Sequence, residues 1–258
     1  MKNTLRIIIS PAKKMNVETD ILEPSGMPVF LEKANTLKDY VQSLTYEEAK
    51  KLWGCNDKLA ELNFGRFQGM DLTKNLTPAL LSYEGIQYQY MAPGVFRDGQ
   101  WKYVQEHLRI LSGFYGVLKP LDGVVPYRME MQARAAFGGV KNLYEFWGQT
   151  IYQEVAKEAS WILNLASKEY SRCVETYLEP RIPYITCVFG EEKNGKILQK
   201  GTLAKMARGE MVRFLSLNDI TEPEGVKEFR ELGFCYSAEH SRKEKFVFIK
   251  SDRKLREF

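Results

Sequence analysis

Leu5–Ser10 reads LRIIIS, and Trp161–Ser167 reads WILNLAS. Each is a short apolar run closed by polar or turn-forming residues, too brief for a helix and too apolar for a half-solvated strand. Such runs must be buried, and amphipathic segments lie between and around them. VFLEKANTLKDYVQSL is an amphipathic helix, and TYEEAKKLWG follows it with Thr45 and Glu48 at capping-box spacing and Gly54 as a C-terminal stop. NDKLAELNFGRF begins another helix at Asn56, LTPALLSY is a short helix, and GQWKYVQEHLRILS is a longer one. NLYEFWGQTIYQEVAKEA and KEYSRCVETYL are helical, and the stretch from Ile182 to Lys205 is a hairpin turning at Asn194-Gly195. YGVLKPLDGVVPYRMEM is rich in turns, and FCYSAEHSRKEKFVFIK is a last strand pair with a charged tail beyond it. No linker or repeat interrupts the pattern. The expectation is an α+β fold, one compact mixed domain over residues 1–258 built on a central sheet.

Composition narrows the class. The chain has 258 residues, with 44% apolar and 27% charged residues, ordinary values for a globular protein. The net charge of +4 permits a nucleic-acid partner without requiring one. No run approaches the ~20 apolar residues of a membrane span, and the apolar run near the amino terminus reaches a turn too soon for a secretory signal. The four cysteines, Cys55, Cys173, Cys187 and Cys235, form no CxxC pair, so reduced thiols in the cytoplasm are expected. With only two histidines, His107 and His240, a histidine-rich metal site is not expected, and neither metal nor cofactor is assigned. The sequence does not set the oligomeric state; a monomer is consistent with it.

Five constellations could carry chemistry. In ISPAKK, a strand empties into Ser10, Pro11 and Lys13, placing a hydroxyl and an ammonium where open sheets bind ligands; a plain strand-ending turn is the simpler alternative. In VVPYRMEM, Arg128 and Glu130 share one face of an extended segment, opposite Tyr127, Met129 and Met131. That face is either a solvated ion pair or the wall of a cleft, where Glu130 becomes an acid/base candidate. In ILNLASKEYSR, Ser167 is placed to cap a helix starting at Lys168, whose free N–H groups suit a phosphate, and Glu169 adds acid/base capacity if it faces a cavity.

The fourth is the candidate helix–hairpin–helix element at 45–67, where amides near Asn56, aided by Lys58 and Arg66, could grip a DNA phosphate; simple antiparallel packing is the alternative. The fifth is TLAKMARGEMVRFL. At ~100° per residue, Lys205, Arg208 and Arg213 fall within roughly 140° of one another, with Gly209 between them. A glycine inside a helix costs on the order of 1 kcal/mol, so something must approach closely there: an anion among the cations, or a packed backbone. No Walker A loop, GxGxxG fingerprint, GxSxG elbow or HExxH helix is present.

Taken together, ISPAKK, NDKLAELNFGRF, HLRILSGFYGVLKPLDGVVPYRMEM, NLYEFWG, ILNLASKEYSR, EKNGK and AKMARGEMVRF resemble the bacterial peroxide-stress protein family YaaA, in the same order from Leu5 to about Ile249. The resemblance implies a cytoplasmic protein that protects cells from hydrogen peroxide by lowering free iron. It also implies DNA binding, an unusual single-domain α+β fold, a basic cleft and a helix–hairpin–helix element. Where the family usually has a serine at the hairpin, this chain has Asn56, which keeps N-cap ability.

The residues and the resemblance agree on a phosphate-binding surface for double-stranded or branched DNA, bound with little sequence preference and strong salt dependence. Lys13, Arg128, Lys205, Arg208 and Arg213 are expected to line it, with Ser167 and Gly209 among them, and Asn56, Lys58 and Arg66 to serve the hairpin. The competing expectation is an enzyme acting on a nucleotide or nucleobase in the same cleft, with Glu130 or Glu169 as acid/base. A deep pocket holding a carboxylate of raised pKa would favour that enzyme, and a shallow open groove would favour simple binding. Direct iron sequestration is a third reading, poorly served by two histidines and unpaired cysteines.

Overall fold

The computed structural model describes residues 4–17 and 20–250, so the charged tail after Lys250 lies outside the described residues. Eight strands form the main sheet: β1 (Leu5–Ile9), β2 (Leu108–Ser112), β3 (Gly116–Leu118), β4 (Trp161–Asn164), β5 (Tyr184–Lys193), β6 (Lys196–Leu198), β7 (Phe234–Tyr236) and β8 (Lys245–Lys250). Their order is β7-β8-β5-β4-β1-β2-β3, with β6 paired to β5. The interior pairs β1/β2, β1/β4, β4/β5 and β5/β8 are parallel. The antiparallel pairs are β2/β3, β7/β8 and the hairpin β5/β6.

This corrects the expected fold class. Strands alternate with helices and the sheet is parallel through its middle, so the architecture is α/β with a mixed sheet rather than α+β. The physical reason is visible in β1, β2 and β4, where every residue is buried. Parallel strands joined through helices are covered on both faces and therefore read as unbroken apolar runs.

A second correction concerns GQWKYVQEHLRILS. The helix covers only Asp98–His107, and Leu108 turns directly into β2 with extended torsion angles. Leu108, Arg109 and Ile110 pair with Ile7, Ile8 and Ile9, so the last five residues all enter the core without any intervening turn residue. Even Arg109 is buried; its guanidinium donates to the carbonyls of Gln105 and Leu108. NLYEFWGQTIYQEVAKEA is likewise two helices, Leu143–Trp147 and Thr150–Ala156, divided at Gly148 where φ is +49°.

Other local expectations hold. Thr45 and Glu48 form the capping box of the helix Tyr46–Trp53, and Gly54 ends it in the left-handed conformation. The side chain of Asn56 accepts from Leu59 N–H at 3.1 Å and starts the helix Asp57–Gln68. Asn194 and Gly195 both have positive φ in the turn between β5 and β6, as a two-residue hairpin turn of this kind requires. Among the described residues no helix is long and apolar enough to cross a membrane.

Candidate functional site

Because β1 and β4 are parallel neighbours, their carboxyl ends emerge side by side. Ser10 follows β1 and Ser167 follows β4, and the two meet: Ser167 N–H donates to Ser10 Oγ at 2.8 Å, and Ser10 Oγ donates to Ser167 Oγ at 3.1 Å. Ser167 occupies the N-cap position of the helix Lys168–Glu175, but its side chain makes no capping bond. The expected Ser167 cap is therefore corrected: its hydroxyl is engaged across the strand ends by Ser10.

Above this junction lies a cavity of about 410 Å³, at the strand-end position where open α/β sheets place ligands. Five segments wall it. Ser10 to Lys14 leaves β1; Tyr127 to Glu130 runs extended; Ser167 to Tyr170 opens a helix; and the helices Ile86–Met91 and Gly201–Leu217 contribute Gln87, Tyr88, Lys205 and Arg208. The hydroxyl of Tyr88 donates to the Ser10 carbonyl at 2.9 Å, which ties the Ile86–Met91 helix to the end of β1.

The alternation in VVPYRMEM works as expected. Tyr127, Met129 and Met131 are buried, while Arg128 Nη2 donates to Glu130 Oε1 at 2.8 Å. Glu130 Oε2 also pairs with Lys13 Nζ at 2.7 Å, so this carboxylate is held between two cations. Behind it, Tyr127 hydrogen-bonds Tyr83 at 2.7 Å and Ser112 at 2.6 Å, and burial pushes its phenol up to about 12.

Charge is unevenly distributed around the cavity. Lys14 pairs with Glu84 at 2.6 Å, and Lys13 and Arg128 share Glu130. Lys205 and Arg208 have no carboxylate partner among the described residues. Glu169 is half-buried, and burial raises its carboxyl above the ordinary glutamate range, partly offset by the Gln132 N–H at 3.3 Å. Desolvation also works against the charge on Arg208.

The informative atoms are those without partners. Gln87 Nε2, Arg128 Nε and Arg208 Nε are buried and make no hydrogen bond among the described residues, and all three residues line this cavity. A buried donor left unpaired costs about 1–3 kcal/mol, and folded proteins rarely tolerate several together. All three groups are donors. What would satisfy them is an acceptor-rich group, and the unpaired charges of Lys205 and Arg208 favour an anion.

Gly209 takes its place here, and not as an anion contact. A Cβ on Gly209 would lie 2.9 Å from Met91 N and closer still to the Gln87 carbonyl. The anion reading of this glycine is corrected: a packed backbone fills the space. Lack of a side chain lets the Ile86–Met91 helix press onto Gly201–Leu217, and this contact brings Gln87 and Arg208 to one cavity.

Seven of the expected residues line the cavity together: Lys13, Arg128, Glu130, Ser167, Glu169, Lys205 and Arg208. Asn56, Lys58, Arg66, Gly209 and Arg213 do not. Asn56 is spent on its own cap, and Lys58 and Arg213 are exposed elsewhere. Arg66 is half-buried on the Asp57–Gln68 helix. Gln87 and Tyr88 were missed, because IQYQYM carries no motif. Its one signal was indirect, the glycine on the helix that it packs against.

Comparison with known proteins covers nearly the whole chain. Residues 5–240 match the family described as peroxide stress protein YaaA. The chain belongs to this family. A UPF0246 protein of Agathobacter rectalis is 54% identical over 244 residues, covering 95% of this chain and 98% of that protein. A UPF0246 protein of Lachnoclostridium phytofermentans is 53% identical over 253 residues, covering 98% and 99%. A third, from Desulfitobacterium hafniense, is 54% identical over 247 residues, covering 96% and 98%.

Proposed function

We propose that this YaaA family member is a cytoplasmic DNA-binding protein of the peroxide-stress response, holding DNA by its phosphates at the strand-end cavity. One observation carries the reading: among the described residues, three buried donors without acceptors, from Gln87, Arg128 and Arg208, line a cavity to which Lys205 adds a cation with no ion pair. A phosphate supplies several strong acceptors and a negative charge, which matches guanidinium and amide donors together. Cations that neutralise DNA phosphates release the counterions condensed on them. Iron held loosely on the backbone is released in the same way, which limits radical chemistry at the DNA. The displacement lowers iron at the DNA and not free iron in solution.

Fluorescence anisotropy with duplex and branched DNA across a salt series tests the reading. Lys205→Ala/Arg208→Ala is expected to weaken binding about tenfold or more and to flatten the salt dependence. Lys58→Ala/Arg66→Ala, which lies off the cavity, is expected to bind like wild type. Weakening in Lys58→Ala/Arg66→Ala alone would move the binding surface to the helix pair, and absence of binding at low salt would end the DNA reading.

A second reading is favoured by Glu169. A carboxyl raised by burial inside a ligand-sized cavity is an acid/base candidate, and it supports an enzyme acting on a nucleotide whose phosphate sits on Arg208 and Lys205. Product formation from nucleotides, abolished in Glu169→Gln with binding retained, is the result that would establish it.

A further inference from the structure

The strand-end cavity is layered. Lys13, Lys14 and Lys205 are exposed and stand at its mouth. Deeper in, the wall is apolar and aromatic: Pro11, Ala12, Ile86, Tyr88, Met129 and Tyr170 line it, and the last three are buried. The Tyr88 hydroxyl is engaged by the Ser10 carbonyl, which leaves its ring as apolar surface. Gln87 is only 7% exposed, and among the described residues its Nε2 has no acceptor. A neutral amide below a ring of cations asks for an acceptor and not for a charge.

Phosphate alone does not account for that depth. DNA phosphates lie on the outside of the duplex and reach the lysines at the mouth with every base still stacked. Farther in, a phosphate meets apolar walls and two carboxyl groups. Glu130 is held by Lys13 and Arg128. Burial, and then the charge of Glu130, raise the carboxyl of Glu169. A group with acceptors only satisfies Gln87 and opposes Glu169. A nucleobase satisfies both, because its edge carries carbonyl or ring-nitrogen acceptors beside N–H donors, and its faces stack on aromatic and apolar side chains.

We infer that the cavity below the lysines is a nucleobase site, with the base edge on Gln87 and Glu169, its faces against Tyr88, Met129 and Tyr170, and the attached phosphate on Lys205 and Arg208. This rests on the phosphate reading above and adds what that phosphate carries. The cavity, of about 410 Å³, is in the range that encloses a small organic ligand. Two sources supply the same chemistry: a nucleotide swung out of a duplex that stays bound at the mouth, or a free nucleotide.

The test compares three probes: a short duplex with one 2-aminopurine, either paired with thymine or mismatched with cytosine; thymidine 5′-monophosphate; and deoxyribose 5-phosphate, which has the phosphate and no base. The fluorescence of 2-aminopurine is quenched in the stack and rises when the base leaves it. Wild type is expected to raise it several-fold and to bind the mismatched duplex about tenfold more tightly, because a mismatched base costs less to extrude. The free nucleotide is expected to displace duplex at a much lower concentration than the sugar phosphate. Gln87→Met keeps an unbranched stem and removes the amide. It should bring the paired and mismatched Kd values together and abolish the advantage of nucleotide over sugar phosphate; the wild-type comparisons decide the inference even where this variant misfolds. A fluorescence rise without a nucleotide advantage assigns the site to extruded DNA bases, and the reverse assigns it to free nucleotides. Flat fluorescence with nucleotide and sugar phosphate equal as competitors, duplex still bound, overturns the nucleobase site and leaves the phosphate reading in place. So does a fluorescence rise that Gln87→Met leaves intact. Failure of wild type to bind duplex, nucleotide and sugar phosphate alike overturns the phosphate reading itself.

Discussion

Gly209 shows how one residue can serve a site that it does not touch. Its missing Cβ allows the Gln87 carbonyl and Met91 amide to lie against the helix, and these are backbone atoms that cannot swing aside. Gly209→Ala gains about 1 kcal/mol of helix propensity but must push two backbones apart, which costs about 1–3 kcal/mol or more. The expected outcome is a lower Tm, with ligand affinity falling as Gln87 and Arg208 separate; an unchanged Tm in thermal unfolding would refute the packing role. Glu169 makes a different prediction at the same scale. Its folded pKa is raised by burial, so the native state binds more protons than the unfolded chain between the ordinary glutamate pKa and the raised one. Stability contributed at low pH is therefore lost as pH rises through that window, and ∂ΔG/∂pH is negative there. An anion in the cavity favours the same neutral form, so affinity for DNA should fall across the window too. Glu169→Gln, neutral at every pH and able to accept from Gln132 N–H, should hold the low-pH affinity throughout; a titration of affinity against pH checks it.

At the scale of elements, what was legible in the sequence followed from local rules. The capping box at Thr45, the stop at Gly54, the Asn56 cap and the Asn194-Gly195 turn are each decided by a few adjacent residues, and each was readable. The burial of β1 and β4 was readable because parallel strands covered on both faces are apolar throughout. Two things were hidden. The passage from helix to strand at Leu108 has no punctuation, since only pairing with β1 turns LRILS from a helix end into a strand. The Ile86–Met91 helix was hidden as a site element, because its contribution depends on packing against a segment over a hundred residues later. Candidate side chains were legible where a strand emptied into polar residues, as at Ser10, Lys13 and Ser167. They were not legible on IQYQYM, where nothing local marks Gln87 as the residue that faces the cavity.

Over the whole molecule, the parallel core sets where the proposed ligand would go, and the cost of that site should be measurable in the fold's stability. A cavity wall with unpaired buried donors is a local conflict that sequences retain at functional sites. Arg208 concentrates the conflict: its guanidinium is partly desolvated and, among the described residues, has no carboxylate partner and leaves Nε without an acceptor. Replacing it by methionine keeps the length of the stem and its packing on the helix while removing charge and donor together. Free Arg208→Met should therefore be as stable as wild type or more so, in keeping with the trade of stability for function at binding sites. Ligand should reverse the order. Oligonucleotide at a hundred times its Kd adds about 2.7 kcal/mol to the wild-type native state, a rise in Tm of roughly 5–10 °C for a domain of this size. Arg208→Met should show little of that rise at the same concentration. Thermal unfolding of both proteins, with and without oligonucleotide, reads the four values in one experiment. A free Arg208→Met that melts several degrees below wild type would mean that the arginine holds the fold together, and the unpaired donors would then no longer point to a ligand.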